Sequence, residues 1–479
     1  MTTTHDATAP AANRWIAMAV LLVAGFMNLI DVTIVNVALP RLQSALDASE
    51  SQIEWVVAGY ILTFALFLLP AGRAGDIWGR RRMFVWGVAV FTVGSALCGL
   101  APSIGTLIGA RVVQAIGGAM MTPQTLAIVP IIFPPSERGT VYALFGLSAG
   151  LATVTGPVLG GVLIKLDLWG LDWRPIFLVN IPIGVAAILL AFRFVPRTPG
   201  TARTGFDAVG VGLAAVALLL VVFPLIEGRL IGWPGWILAM LAGSVPVAAI
   251  FVWWQRRQAE MGRPQLLPAR LMDNRDFLLG TGLVTVLFSC IPGFFLVIAL
   301  YLQNGYGLTP LQSGLTTLPF SIGGLIASVA AGWMGNRWLR PRICIGALML
   351  AVAMGATHVV VATTGDAVVW TAFAGPLFLG GLGLSTTISP LFNTTLSRVS
   401  GADTGSASGA LQTFQQVGGA LGVALQGQIF FSTLAGAAGM PGHDAYATAF
   451  GLTLFYTMGI MALMAALTWV LPRPDIDGA

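Results

Sequence analysis

Charge is scarce in this sequence: Asp, Glu, Lys and Arg together make up 9% of its 479 residues, where soluble globular domains carry about 25%. With 56% hydrophobic residues and a mean hydropathy of +0.86, the composition excludes a soluble domain and leaves an all-α polytopic membrane protein. Cysteine occurs three times, at Cys98, Cys290 and Cys344, each inside an apolar run. That excludes a disulfide framework or zinc-ligand spacing, and all three read as core thiols. Lysine occurs once, as Lys165 after Ile164, so the Gly-Lys-Ser/Thr of a P-loop is missing and ATP does not power the chain. The histidines are His5, His358 and His443. "GLSAG" (146–150) therefore lacks both the strand-to-helix turn and the histidine of a hydrolase elbow, and "GVGLAA" (210–215) follows no strand. His358, far in sequence from any acid, reads as a core residue. The net charge of +5 is spread over loops between apolar runs, which speaks for topology and against a nucleic-acid partner.

What the sequence has is long apolar runs. A membrane helix needs about 20 mainly apolar residues, and on that basis the chain predicts fourteen spans: 15–39, 53–71, 83–100, 104–130, 140–164, 175–195, 208–226, 233–254, 277–302, 311–335, 343–363, 368–391, 405–431 and 448–471. The polar start "MTTTHDATAPAANR" precedes a run too long for a signal-peptide core, so it is expected to stay as the first span. An even number of spans puts both termini on one side. Of the 24 basic residues, only Arg41, Lys165, Arg174 and Arg229 then fall in external loops and Arg111 inside a span, if the termini are cytoplasmic.

The segments "GRAGDIWGRRR" (72–82) and "GWMGNRWLRPR" (332–342) align without a gap, pairing Gly72 with Gly332, Gly75 with Gly335, Trp78 with Trp338 and Arg80 with Arg340. An eight-span offset fits two parallel six-span halves with two spans inserted between them. The expected organisation is a cytoplasmic tail (1–14), a first bundle (15–195), a linker with two inserted helices and a cytoplasmic connection (196–276), a second bundle (277–471) and a tail (472–479).

Five ordered motifs now stand in view: "LIDVTIVNVALP" (29–40), "GRAGDIWGRRR" (72–82), "RVVQAIGGA" (111–119), "GLATVTGPVLGG" (150–161) and "DWRPIFLVNIPIG" (172–184). With them the chain resembles the major facilitator superfamily, and within it the fourteen-span drug:proton antiporter family. Ala115 departs from the glycine that many relatives carry there. The resemblance implies a major facilitator fold in the plasma membrane, alternating access, and a proton gradient in place of any cofactor or metal. It implies a small-molecule substrate, protons and the bilayer as partners, and a monomer. The leading expectation is export of an amphipathic drug or antibiotic against protons. A proton-coupled carrier of one metabolite, or a non-transporting sensor of the same fold, stands as the alternative.

The chemistry centres on Asp31, in the middle of "LLVAGFMNLIDVTIVNVALP" (21–40). A carboxylate at the centre of a membrane helix costs roughly 2.5 to 3.5 kcal/mol on insertion scales and calls for a partner. Asp31 lies roughly 14 Å from Pro40 at one helix end and Arg111 roughly 12 Å from Ser103 at another, at about 1.5 Å per residue. At matching depth, the two are expected to pair, either as a proton site or as a permanent bridge; the resemblance favours the first. Arg111, Gln114, Gly118, Thr122 and Thr125 make one polar stripe. Asn28, Asn36, Gln114, Gln412, Gln415 and Gln416 are expected to face the substrate cavity, although Gln412, Gln415, Gln416, Gly419 and Gln426 could equally form a polar helix contact. The second half shows no embedded acid, and a single embedded carboxylate disfavours a polycationic substrate.

Gating is expected at Gly72, Gly75, Asp76, Gly79 and Arg80, where glycines permit a tight reversal and arginines hold the loop inside. A topological hairpin explains most of that motif but not Asp76, which the second copy replaces with Asn336. By resemblance, Asp76 is a latch acid meeting a helix N-terminus or an arginine of the other half. Gly156, Pro157, Gly160 and Gly161 are the second gating group: small residues let helices approach and the proline bends span 5.

Overall fold

The computed structural model describes residues 11–197, 200, 205, 207–228, 231–335, 337–365, 370–397, 399–400, 403–437 and 442–470. Residues 1–10 of the first expected tail, the last residue of the expected second bundle (471), the whole second tail (472–479) and Asn336 lie outside the described residues, as do the side chains of Asn36 and Pro157. Among the described residues there is no strand. The first half runs α1 (Ala11–Ala45), α2 (Glu50–Trp78), α3 (Arg80–Gly99), α4 (Ile104–Ile132), α5 (Pro135–Leu166), α6 (Pro175–Leu178) and α7 (Asn180–Phe194). Then come α8 (Ala208–Glu227), α9 (Gly235–Glu260) and the short α10 (Ala269–Met272). The second half holds α11 (Arg275–Phe288), α12 (Ile291–Leu300), α13 (Pro310–Met334), α14 (Leu339–Thr363), α15 (Trp370–Ser397), α16 (Thr404–Gly436) and α17 (Gly442–Leu467).

Among the described residues, 13 helical segments are long and apolar enough to cross a bilayer, and α5, at 32 residues, runs the length of the remaining expected span. The chain is a multi-pass integral membrane protein. Its helices start where local chemistry allows. Ser49 with Gln52, Ser103 with Thr106, and Thr309 with Gln312 form reciprocal caps that satisfy donors orphaned at an N-terminus. Hydroxyls inside the spans bond back to their own helix, as Thr92 does to Val88 O at 2.7 Å and Thr387 to Gly383 O at 2.8 Å. With no water in hydrocarbon, that internal satisfaction is required.

The ninth expected span, 277–302, is not continuous. It breaks between α11 and α12, where Gln426 Nε2 donates to Ser289 O at 3.1 Å and Cys290 O at 3.0 Å. The side chain replaces the intrahelical donors that the break removes.

The reversal after the second span is also shorter than expected. Helix α2 continues through Trp78, so Gly72, Gly75 and Asp76 are helical and Gly79, at φ 97°, makes the turn alone. Gly72 and Gly75 serve close approach instead: a Cβ on Gly72 would stand 3.1 Å from Gly409 Cα on α16, and one on Gly75 would collide with Gln124 of α4.

Apolar side chains of α1–α4 and α7, with Trp173, Ile176 and Phe177, form two hydrophobic clusters, and a larger one is built mainly from α11–α17. The halves meet where α2 packs on α16 and where α5 packs on α13 and α15, and α8 touches both α2 and α16. At the opposite end of α1 from its N-terminus, Arg41 Nε donates to Asp172 Oδ1 at 2.7 Å. That hydrogen bond, with the carboxylate charge, holds the exposed guanidinium above its ordinary pKa.

Candidate functional site

Four helices bring one polar cluster into the first half. Asp31 comes from α1, Ser95 from α3, Arg111 and Gln114 from α4, and Asn180 from the first residue of α7. The expected pair is formed: Arg111 Nη1 donates to Asp31 Oδ2, with Asp31 fully buried and Arg111 1% exposed. Asp31 Oδ1 accepts from Gln114 Nε2 at 2.8 Å and Asn180 Nδ2 at 3.1 Å. Both donors also reach Ser95 Oγ, at 2.7 and 3.3 Å. Gln114, expected at the cavity, clamps the pair: its Oε1 accepts from Arg111 Nη1 at 2.6 Å while its Nε2 serves Asp31. Its position three residues after Arg111 on one helix makes that geometry available.

Arg111 has anchors besides the carboxylate. Its Nε donates to Val56 O at 3.2 Å, and its guanidinium carbon lies 4.1 Å from the Tyr60 ring centroid. A ring face at that distance attracts a cation, by about 2 kcal/mol where water is excluded. Tyr60 in turn donates its hydroxyl to Asn28 Oδ1, so Asn28, expected in the cavity, is buried against α2. Ser95, Asn180 and Tyr60 did not stand out in the sequence. Asn180 carried the one available signal, an amide inside the quoted "DWRPIFLVNIPIG".

The other expected residues lie elsewhere. Gln412, Gln415 and Gln416 are half-buried on α16, whereas Gln426, read on the same face, is buried and engaged at the α11–α12 break. On α5, Gly156 packs on Thr33 of α1, and Thr33 Oγ1 donates to Ala152 O at 3.0 Å; Gly160 is buried, and Gly161 faces open space. Among the described residues no three His, Cys, Asp or Glu side chains gather into a group fit for a metal ion.

A second polar centre joins the halves. Asp76, in the last turn of α2, accepts at Oδ1 from Gly405 N (3.0 Å) and at Oδ2 from Ser406 N (2.8 Å) and Ser406 Oγ (3.0 Å). These are the first donors of α16, which have no acceptor in their own helix. Arg80 holds the same carboxylate at 3.2 Å and donates to Ala127 O on α4 at 3.0 Å.

Comparisons with known proteins agree with this architecture. The chain is 37% identical over 430 residues to the probable actinorhodin transporter of Streptomyces coelicolor, covering 89% of this chain and 74% of that one. It is 32% identical over 480 residues to the puromycin resistance protein pur8 of Streptomyces alboniger, covering 96% and 92%. With the tetracenomycin C resistance and export protein of Streptomyces glaucescens it shares 30% identity, covering 90% and 80%. The solved structure of the proton:xylose symporter XylE superimposes with a TM-score of 0.65 at 15% identity over 97% of each chain, a likeness of fold. The model of the Major Facilitator Superfamily matches residues 21–215 and 207–423, and the chain belongs to that superfamily.

Proposed function

We propose that this chain is a proton-coupled exporter of amphipathic small molecules, working by alternating access rather than catalysing a reaction. In this reading fourteen spans form two six-helix bundles, 15–195 and 277–471, joined by the segment 196–276, with both termini cytoplasmic. The gradient supplies the energy, no cofactor takes part, and one copy of the chain suffices. The resistance and export proteins among its relatives support the direction and the substrate class.

The observation that carries the proton coupling is the double anchoring of Arg111. Ionised, Asp31 and Arg111 cancel each other, and a fully buried pair with satisfied lone pairs is tolerable. When Asp31 takes a proton, a lone cation would be costly, but Arg111 keeps Val56 O, Gln114 Oε1 and the Tyr60 ring. The carboxyl can thus change charge without stranding its partner. In the same reading Asp76 and Arg80 latch the cytoplasmic side, with Gly72, Gly75 and Gly79 setting the approach. Gly156, Pro157, Gly160 and Gly161 form the second gating segment, on α5. Gln412, Gln415 and Gln416 offer polar groups to a substrate. Because the deeply embedded carboxylate is occupied, anionic, neutral and monocationic amphiphiles fit better than polycations.

The test is transport by the purified chain in sealed proteoliposomes with an imposed pH gradient, using anionic, neutral and monocationic amphipathic dyes. Dye movement opposite to proton flow, collapsing with an ionophore, is expected. Movement in the same direction as protons makes the chain an importer, and dye binding without any proton response makes it a sensor.

A further inference from the structure

A second buried carboxylate lies far from Asp31, at the end of the inserted hairpin. Asp207 caps α8 and is 7% exposed. Its Oδ1 accepts from Gly210 N at 2.8 Å and Trp254 Nε1 at 3.1 Å, and its Oδ2 from Gln255 Nε2 at 2.7 Å. Gln255 is itself fixed, since its Oε1 accepts from Leu266 N at 2.9 Å. Asp207, Trp254, Gln258, Arg263 and Pro264 line one cavity of about 290 Å³. Arg263 stands in the same wall, yet no ion pair joins Asp207 to a cation among the described residues. Gln258 is 7% exposed, and its Oε1 has no hydrogen-bond partner among them.

The cavity wall therefore holds an acid with spare acceptor capacity, an indole and a separate guanidinium. A carboxylate offers about four acceptor sites, of which three are used here. An ammonium group suits the remaining acceptor beside an aromatic ring. A phosphate fits the fork of Arg263. The place is right for a lipid: the apolar segments Ala208–Leu225 and Gly235–Glu260 both end here. Val209 (52%) and Trp253 (54%) are exposed beside the cavity, and tryptophan favours the membrane–water boundary.

We propose that this cavity holds the headgroup of a phosphatidylethanolamine from the adjoining leaflet, its ammonium on Asp207 and its phosphate on Arg263. A phosphatidylcholine headgroup has no N–H to give the carboxylate, so the site discriminates between the two lipids. This inference stands apart from the transport reading, and its test measures lipid binding alone.

Native mass spectrometry of the full chain, titrated with short-chain phosphatidylethanolamine, phosphatidylcholine or phosphatidylglycerol, reads retention directly. The wild type should hold phosphatidylethanolamine about tenfold more tightly than phosphatidylcholine, the weight of one charge-assisted hydrogen bond. Asp207→Asn should erase that preference, whereas Arg263→Gln should weaken retention of both lipids by a similar factor, since both carry the phosphate. Arg263→Gln leaves the α8 cap intact, so a folding defect in the other variant does not decide the matter. Equal retention of the two lipids by the wild type, or retention of both lipids by the Arg263→Gln protein as tight as the wild type's, overturns the proposal. Displacement of the lipid by free phosphoethanolamine at equal concentration would make the ligand a soluble amine phosphate and overturn the lipid assignment.

Discussion

Arg111 lies over Tyr60, with the guanidinium carbon 4.1 Å from the ring centroid, while the same guanidinium binds Asp31. The buried cation is thus held by a charge and by a ring, and only one of these changes with protonation. Tyr60→Leu should cost about 2 kcal/mol of stability and impair coupled transport, whereas Tyr60→Phe keeps the ring and should retain most of both. Thermal melting and gradient-driven dye transport check the pair of variants. Equal damage in the two would mean that the hydroxyl contact to Asn28 matters more than the ring.

Asp31→Asn should preserve the fold and ligand binding while abolishing gradient-driven transport, because the amide keeps hydrogen-bonding atoms but does not ionise. Expression, binding and transport by the same preparation check this. Transport at the wild-type rate against a gradient would make the pair a structural bridge.

Arg111→Ala leaves the Asp31 carboxylate buried without its cation, at a cost of about 3–5 kcal/mol, whereas Asp31→Asn leaves Arg111 on Val56 O, Gln114 Oε1 and the Tyr60 ring and should cost less. The double variant Asp31→Asn with Arg111→Ala should recover about 0.5–3 kcal/mol relative to additive losses, as touching residues do. Melting of the four proteins in one detergent gives this coupling energy, and strict additivity would contradict the contact.

Gln114→Leu should destabilise the protein by about 1–3 kcal/mol, since it removes a donor from Asp31 and an acceptor from Arg111 in a buried site. A Gln114→Glu change keeps the shape but adds a second carboxylate beside Asp31, and proton release on ligand binding, followed with a pH dye, should then differ from wild type.

Asp76→Asn should shift the conformational balance toward the cytoplasm-open state by about ten- to a hundredfold, the worth of about 1.5–3 kcal/mol in charge-assisted bonds to Gly405 and Ser406. Cysteines placed at either mouth and probed with a water-soluble thiol reagent report the change, and an unaltered labelling pattern would remove Asp76 from gating.

Depth along a helix is a matter of counting, which is why the Asp31–Arg111 contact was legible from residue numbers alone. What surrounds the pair was not. Asn180 reaches Asp31 only because α7 packs beside α1 and α3, and Tyr60 meets Arg111 only through the packing of α2 on α4. Helix rotation decides both, and a run of apolar residues carries little information about rotation. For the same reason the contacts of Gln114 with both members of the pair could not be read from its position in the stripe. Gly72 and Gly75 read as turn residues because glycine suits turns, yet a glycine inside a helix serves close approach equally well, and the sequence is the same for either use. The break at Ser289–Cys290 was hidden for a related reason: the residue that makes it tolerable, Gln426, lies on another helix.

The Gly72–Gly409 approach has a mechanical consequence. Two surfaces without side chains meet closely but bury little apolar area at that point, so the Asp76 contacts supply the directional fastening at this end of α2. Water can replace those polar contacts donor for donor when the helices part. In the proposed transport cycle the seam between α2 and α16 then works as a door held by a catch rather than by a seal, which a bound proton or substrate molecule releases by favouring the open state.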